Sequence, residues 1–326
     1  MIPDRLQPGD EIRVIAPATS MAVLKKAQLE LAQNRLERFG FKVTYGKHTS
    51  GHDEFFSTSV EDRLADLHDA FADPKVKCIL AALGGYNSNQ LLKKIDYSLI
   101  EKNPKIVCGY SDITALQLSL FHKTGLVTYS GPFFSSFGMK HGFQYSLDSF
   151  LEAVTNDASY DIEPSESWSE DAWYLDQENR TFHENRGFLT IQQGKAEGRL
   201  IGGNLSSINL LQGTEYMPSL KNSILFIEDD EESHLRTFDR DLQSLLHLPN
   251  ADGIQGVLIG RFQKDSGVTE EALRKIISSK EELTGVPVIA HVNFGHVNPI
   301  ATIPIGCKAS INTMDGNMDI TVYHEE

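Results

Sequence analysis

The chain is poor in cysteine, and none of its cysteines sits in a useful spacing. There are three in 326 residues: Cys78, Cys108 and Cys307. No CxxC pair exists, so neither a zinc knuckle nor a disulfide framework is expected. Cys78 and Cys108 fall inside apolar runs and read as buried, reduced thiols. No apolar run is long enough to span a bilayer. The opening residues, MIPDRLQPGDEIRV, lack the basic start and apolar stretch of a secretory signal. A cytoplasmic protein with no membrane partner is therefore expected. Positive charge is also short: 30 Lys and Arg stand against 45 Asp and Glu, a formal net charge of −15. The basic footprint that nucleic-acid binding requires is missing. There is no internal repeat and no low-complexity tract. The glycine fingerprint GxGxxG is absent, which disfavours a Rossmann-type dehydrogenase, and no GxxxxGK[ST] phosphate loop occurs.

What the chain does have is alternation. Glu11 to Ala16 reads as a strand, Leu24 to Phe39 as a helix closed by Gly40, and Phe41 to Tyr45 as the next strand. Ser59 reads as a helix cap with Asp62 three residues on, followed by Val60, Leu64, Leu67 and Phe71 at helical spacing. Val76 to Leu83 is continuously apolar apart from Lys77, as in a strand covered on both faces. Ile106 to Cys108 and Leu126 to Tyr129 read as short strands around a helix near Thr114 to Lys123. This pattern predicts an α/β fold with a parallel sheet wound by helices. Residues from about 156 to 198 turn polar, acidic and aromatic without a period, and read as a connection or lid. Beyond them, strands are predicted at Ile224 to Ile227, Val257 to Ile259 and Val286 to Ala290. Helices are predicted near Leu235 to Leu246 and Glu270 to Leu283, and a hairpin turns at Asp315-Gly316-Asn317. The expected architecture is an N-terminal α/β sandwich domain over residues 1–160 and a connecting segment over 161–195. A smaller mixed β/α domain would follow over 196–326.

Sites in open α/β sheets form at the carboxyl ends of strands. The residues just past those ends are Gly84-Gly85, Ser111, Glu228 and His296. A serine hydroxyl needs a base to become a nucleophile, and the base needs an acceptor to orient it. The developing oxyanion needs fixed N–H donors, which a glycine backbone and a helix start can supply. Each residue also has a plainer reading. Ser111 in KIVCGYSDIT can cap the following helix, and the GxSxG signature is absent because Ile113 stands where its second glycine would be. Glu228 opens the run Glu-Asp-Asp-Glu-Glu, which alone reads as a solvated loop. His296 can be a packed or surface histidine, with His291 as a nearby competitor. Gly84-Gly85 can be a simple turn.

The ordered segments LQPGDEIRVIAPAT, LGGYNSNQLL, CGYSDITAL, EGRLIGGNLS, LFIED and NFGHVNPIATIPIG add a resemblance. Together they look like the serine peptidase family of LD-carboxypeptidases and microcin C immunity proteins, from about Leu6 to Gly306. The resemblance implies a nucleophile domain followed by a domain carrying the other two triad members. It implies catalytic Ser111, Glu228 and His296, with an oxyanion hole from the N–H groups of Gly85 and Asp112. No metal or organic cofactor is implied, and a homodimer is. Cell-wall members carry an arginine before Gly-Gly, as in RGGYG; here the text is Ala82-Leu83-Gly84-Gly85. That departure, Asn87-Ser88-Asn89, and the aromatic connection with Trp168 and Trp173 resemble the immunity-type, MccF-like branch. The expected partner is then a small peptide or an aminoacyl-nucleotide, contacted by Asn204, Trp168 and Trp173. An indole stacked on a base contributes about 1–3 kcal/mol in other base contacts; the plainer role for both tryptophans is packing at a domain boundary. A murein tetrapeptide LD-carboxypeptidase remains the competing expectation, and a basic side chain facing the pocket would favour it. A binding protein that has lost turnover is the reading from another class.

Overall fold

A computed structural model describes residues 1–324 and shows two large sheets, with the helix Ile113–Thr124 packed against both. The first sheet has six strands in the order Ile303–Ile305, Thr128–Ser130, Ile106–Gly109, Val76–Ala81, Glu11–Ile15 and Lys42–Tyr45. Neighbours are parallel except Ile303–Ile305, which returns from the far end of the chain to pair antiparallel with Thr128–Ser130. The central strands are apolar and buried because helices cover both faces. Val60–Ala72 starts where Ser59 accepts the N–H of Asp62 at 3.1 Å, with Glu61 and Asp62 favourably placed at the positive helix end. Ile113–Thr124 stops at Gly125, whose left-handed φ of 72° lets its N–H reach the Phe121 carbonyl at 2.8 Å.

The second sheet has eight strands. Lys195–Asn204, Ser223–Glu228, Gly256–Gly260 and Val288–Val292 run parallel at its centre. Lys308–Asn312, Asp319–Tyr323, Tyr160–Asp161 and Leu189–Gln192 extend it antiparallel. Two of these edge strands lie in the stretch that the sequence pattern reads as a connection. Leu189–Gln192 is half-buried on both faces, so its apolar alternation is too weak to stand out of a polar run. The remainder includes a short ribbon of Ser167–Trp168 against His183–Glu184 and bonds to Lys264 and Asn298, past the carboxyl ends of Gly256–Gly260 and Val288–Val292.

Two glycines set close approaches around the strand Lys195–Asn204, one to a helix and one to the next strand. A Cβ at Gly203 would lie 2.5 Å from Thr114 Oγ1, on the helix that follows Ser111. Thr114 Oγ1 instead accepts the N–H of Asn204 at 3.1 Å, locking the strand Lys195–Asn204 onto that helix. A Cβ at Gly202 would collide with the carbonyl of Phe226, on the strand that ends in Glu228. Gly202→Ala is therefore expected to destabilise the fold at the upper end of the ~1–3 kcal/mol seen for overpacking. A urea titration of variant against parent reads this directly. An unchanged midpoint would mean that the contact is soft.

Candidate active site

Ser111 sits between the strand Ile106–Gly109 and the helix Ile113–Thr124, with φ at 57°. This left-handed conformation is uncommon for a residue with a Cβ and costs about 1–3 kcal/mol. The strain turns the side chain away from the helix it precedes. Ser111 Oγ caps no helix N–H; it lies 3.1 Å from His296 Nε2. His296 Nδ1 in turn lies 2.7 Å from Glu228 Oε2. The three residues come from two sheets, 185 positions apart between serine and histidine. In the neutral ring, with Nδ1–H donated to the carboxylate, Nε2 is left to accept the serine proton.

Neighbouring residues hold that chain in place. Gly295 has φ at 99°, and a Cβ there would fall 2.6 Å from Glu228 Oε2, so only glycine lets the His296 loop lie on the glutamate. The Tyr110 ring stacks on Phe133 at 4.2 Å and faces the His296 ring at 5.3 Å. Glu228 and Asp229 are 3% and 2% exposed, so the acidic run begins buried and reaches solvent only at its later members. His291, the competing histidine, points elsewhere: its Nδ1 lies 3.9 Å from Glu270. Burial and Arg261 pull its pKa down to about 4.

The electrostatics favour a charged imidazole. Desolvation works against the imidazolium of His296. The Glu228 charge and hydrogen bond, helped by Asp230 and Asp229, overcome it and lift the pKa to about 9. Burial and the adjacent Glu228 raise Asp229 to about 6, while Ser206 restrains the rise. Asp229 accepts from Asn204 Nδ2 at 3.1 Å and from Ser206 Oγ at 3.0 Å.

The Gly84-Gly85 turn and Asp112 lie next to the serine. The Gly84-Gly85 turn packs on it, since a Cβ at Gly84 would lie 3.3 Å from Ser111 Oγ. The turn is held by Thr19, whose N–H reaches the Gly84 carbonyl at 3.1 Å; a Cβ at Gly85 would fall 2.6 Å from Thr19 Oγ1. Ser88 ties the same loop to Asp112: its N–H donates to the carboxylate at 2.9 Å and its hydroxyl to the carbonyl at 2.8 Å. Burial raises the Asp112 pKa, against the hydrogen bonds from Ser88 and Asn87 and the charge of Arg63. Among the described residues, neither the Gly85 nor the Asp112 N–H has a protein acceptor, so both are free to meet an oxyanion.

The remaining expected residues divide. Asn204 is 3% exposed, with its amide nitrogen on Asp229 and its oxygen on the Ser207 N–H and hydroxyl. It lies beside Glu228 in the sheet, with its side chain bonded to Asp229 and Ser207. Trp168 is half-buried beside the His296 loop, because Ser169 exchanges backbone hydrogen bonds with Asn298 at 2.8 and 2.9 Å. Trp173 is half-buried, packs against the hydrophobic core and meets the Tyr174 ring at 6.0 Å. Sequence reasoning does not mark Ser88, Asp229, Gly295 or Thr114 as site residues, although each lies inside one of the ordered segments.

Known proteins share this arrangement of sequence and fold. The chain matches the LD-carboxypeptidase N-terminal domain over residues 12–131 and the LD-carboxypeptidase C-terminal domain over residues 197–311. It is 52% identical to the carboxypeptidase candidate YocD of Bacillus subtilis (strain 168), covering 99% of each chain. The microcin C7 self-immunity protein MccF of Escherichia coli is 32% identical, over 96% of this chain and 93% of that one. A murein peptide carboxypeptidase candidate of Bacillus subtilis is 33% identical, over 96% and 92%. Among solved structures, an MccF-like protein from Bacillus anthracis superposes with a TM-score of 0.98 at 50% identity, covering 99% of both chains. MccF in complex with aspartyl sulfamoyl adenosine superposes with a TM-score of 0.89 at 30% identity, over 100% and 99%.

Proposed function

The chain belongs to the LD-carboxypeptidase family and is a serine carboxypeptidase-type hydrolase, and from that footing we propose that it cleaves the amide joining an aminoacyl or peptidyl group to a nucleotide-like moiety. The observation that carries the chemistry is the continuous hydrogen-bond chain Ser111–His296–Glu228, anchored on a strained serine. Neutral His296 accepts the Ser111 proton as Oγ attacks the amide carbonyl carbon. Glu228 orients the ring and balances the imidazolium that forms. The oxyanion rests against the N–H groups of Gly85 and Asp112. His296 then protonates the leaving nitrogen, the C–N bond breaks, and water releases the acyl group by the same route.

The substrate class rests on separate support. MccF has been solved with aspartyl sulfamoyl adenosine, and the fold match to an MccF-like protein extends over nearly the whole chain. The stretch Ala82-Leu83-Gly84-Gly85 lacks the arginine that cell-wall members carry before Gly-Gly, and Trp168 lies beside the His296 loop. We read the enzyme as a cytoplasmic homodimer on the same resemblance. Murein peptide cleavage is the second reading, favoured by the carboxypeptidase candidates among its relatives. The deciding experiment is a competition assay followed by mass spectrometry. Aspartyl sulfamoyl adenosine and a murein tetrapeptide are offered in one tube. Release of sulfamoyl adenosine alone is expected; release of the terminal D-residue alone would transfer the enzyme to the second reading.

A further inference from the structure

Arg261 is the first residue past the strand Gly256–Gly260, which lies between the Glu228 strand and the strand leading to His296. A Cβ on Gly260 would sit 2.8 Å from Glu228 Cβ and 2.6 Å from the Phe294 carbonyl, so Arg261 emerges at the edge of the site. Its guanidinium carbon lies 4.9 Å from the centre of the Trp168 ring. Nη2 donates to Asn185 Oδ1 at 2.8 Å, while Nε is buried without a partner. Asn185 Nδ2 donates to Ser165 Oγ at 3.2 Å, and Asn293 donates to the same oxygen at 2.9 Å, three residues before His296. The unusual feature is what Arg261 lacks. Among the described residues no carboxylate comes within ion-pair distance of it; Glu270 acts on it only from farther away. Lys264, the other cation over Trp168, is different: it is paired with Glu170 at 3.1 Å. A half-buried guanidinium with an orphaned N–H and no counter-charge is costly unless an anion arrives to complete it.

We propose that Arg261, with Trp168 beneath it, is the specificity site for a negatively charged oxygen group on the leaving-group side of the substrate. This deepens the hydrolase reading above and rests on it. His296 protonates the leaving nitrogen, so the leaving group passes along the His296 loop, where Trp168 and Arg261 stand. The planar fork of arginine takes two oxygens of a carboxylate, sulfonyl or phosphoryl group at once. The Trp168 ring, itself packed on the His183 ring at 4.6 Å, supports the guanidinium and fixes the direction of its fork. Two sources share this chemistry: the terminal carboxylate of a peptide, and the sulfamoyl or phosphoryl link of an aminoacyl-nucleotide.

The test uses two matched pairs. One is a peptide ending in a D-residue, as the free acid and as the carboxamide. The other is aspartyl sulfamoyl adenosine and its uncharged counterpart, the aspartyl amide of 5′-amino-5′-deoxyadenosine. Parent enzyme, Arg261→Gln and Arg261→Lys are compared by kcat and KM. In the pair that the parent cleaves, the preference for the charged member is expected to fall about tenfold or more in Arg261→Gln, as for loss of a charged hydrogen bond, mainly through KM. Arg261→Lys should keep part of it. Equal loss on charged and neutral members would mean that Arg261 only braces Trp168, and an unchanged preference would remove it from recognition; either overturns the proposal. Calorimetric binding of the same four compounds to Ser111→Ala, with and without Arg261→Gln, repeats the reading without turnover. If the parent cleaves nothing, the hydrolase reading fails by itself, while the binding preference still decides the role of Arg261. Binding of no charged member would overturn that role too.

Discussion

Ser111→Ala is expected to lower turnover by about 10⁶-fold, the scale of loss when a serine nucleophile is removed from a working triad. The residual rate would come from Gly85, Asp112 and substrate binding, which the variant keeps. Stability should hardly change. Alanine retains the Cβ, so the strain at φ 57° stays, and the protein loses only the 3.1 Å contact to His296. Such a bond contributes about 0.5–1.5 kcal/mol net. The two readouts therefore separate: a dead enzyme with a parental thermal midpoint. Parental turnover would exclude Ser111 as nucleophile. A collapsed midpoint would mean that the hydroxyl holds the turn together, and the loss of rate would no longer speak to chemistry.

Ser111 also marks the boundary of what a sequence discloses. That a serine follows the strand Ile106–Gly109 is legible, because the apolar run before it is continuous. Whether it caps a helix or faces outward depends on one backbone angle, set by Gly84 packing on one side and His296 on the other. Local pattern carries no such information. The same holds for the residues that brace the site. Asp112 is held by Ser88, 24 positions away, and Asn204 by Thr114, 90 positions away. Asn204 illustrates the consequence. A polar residue after a glycine pair invites a binding role, and the local pattern says nothing of the bonds its side chain makes to Asp229 and Ser207. In the fold, the strands read most reliably are those buried on both faces. The helix Gln144–Thr155 carried no start signal, since it has no side-chain cap and no acid in its first turn. The edge strand Leu189–Gln192 was masked by its polar neighbourhood. Sequence thus disclosed the buried centre and the chemically marked residues. The fold supplied the edges and the supports.

Glu228→Gln is expected to separate the charge of the glutamate from its shape. Glu228 is what raises His296 to about 9 against the desolvation of its site. The base must be neutral to take the serine proton, so in the parent kcat/KM should climb with pH and level only above about 9. Glutamine keeps a hydrogen-bonding oxygen but removes the charge, so this limb should move to lower pH. The plateau should fall by about 10⁴-fold, as when a triad carboxylate becomes an amide, because the imidazolium formed during attack is no longer balanced. Stability follows the same linkage. The folded pKa lies above the unfolded value of about 6.5. The His296–Glu228 pair therefore stabilises the protein fully below that value, and its contribution is lost as pH rises through about 9. Denaturation of the parent between pH 6 and pH 10 should show that decline, and Glu228→Gln should flatten it. A limb that stays in place in the variant would mean that some other group sets the protonation of His296. A plateau that stays at the parental height would remove Glu228 from the mechanism, leaving Ser111 and His296 to work as a pair.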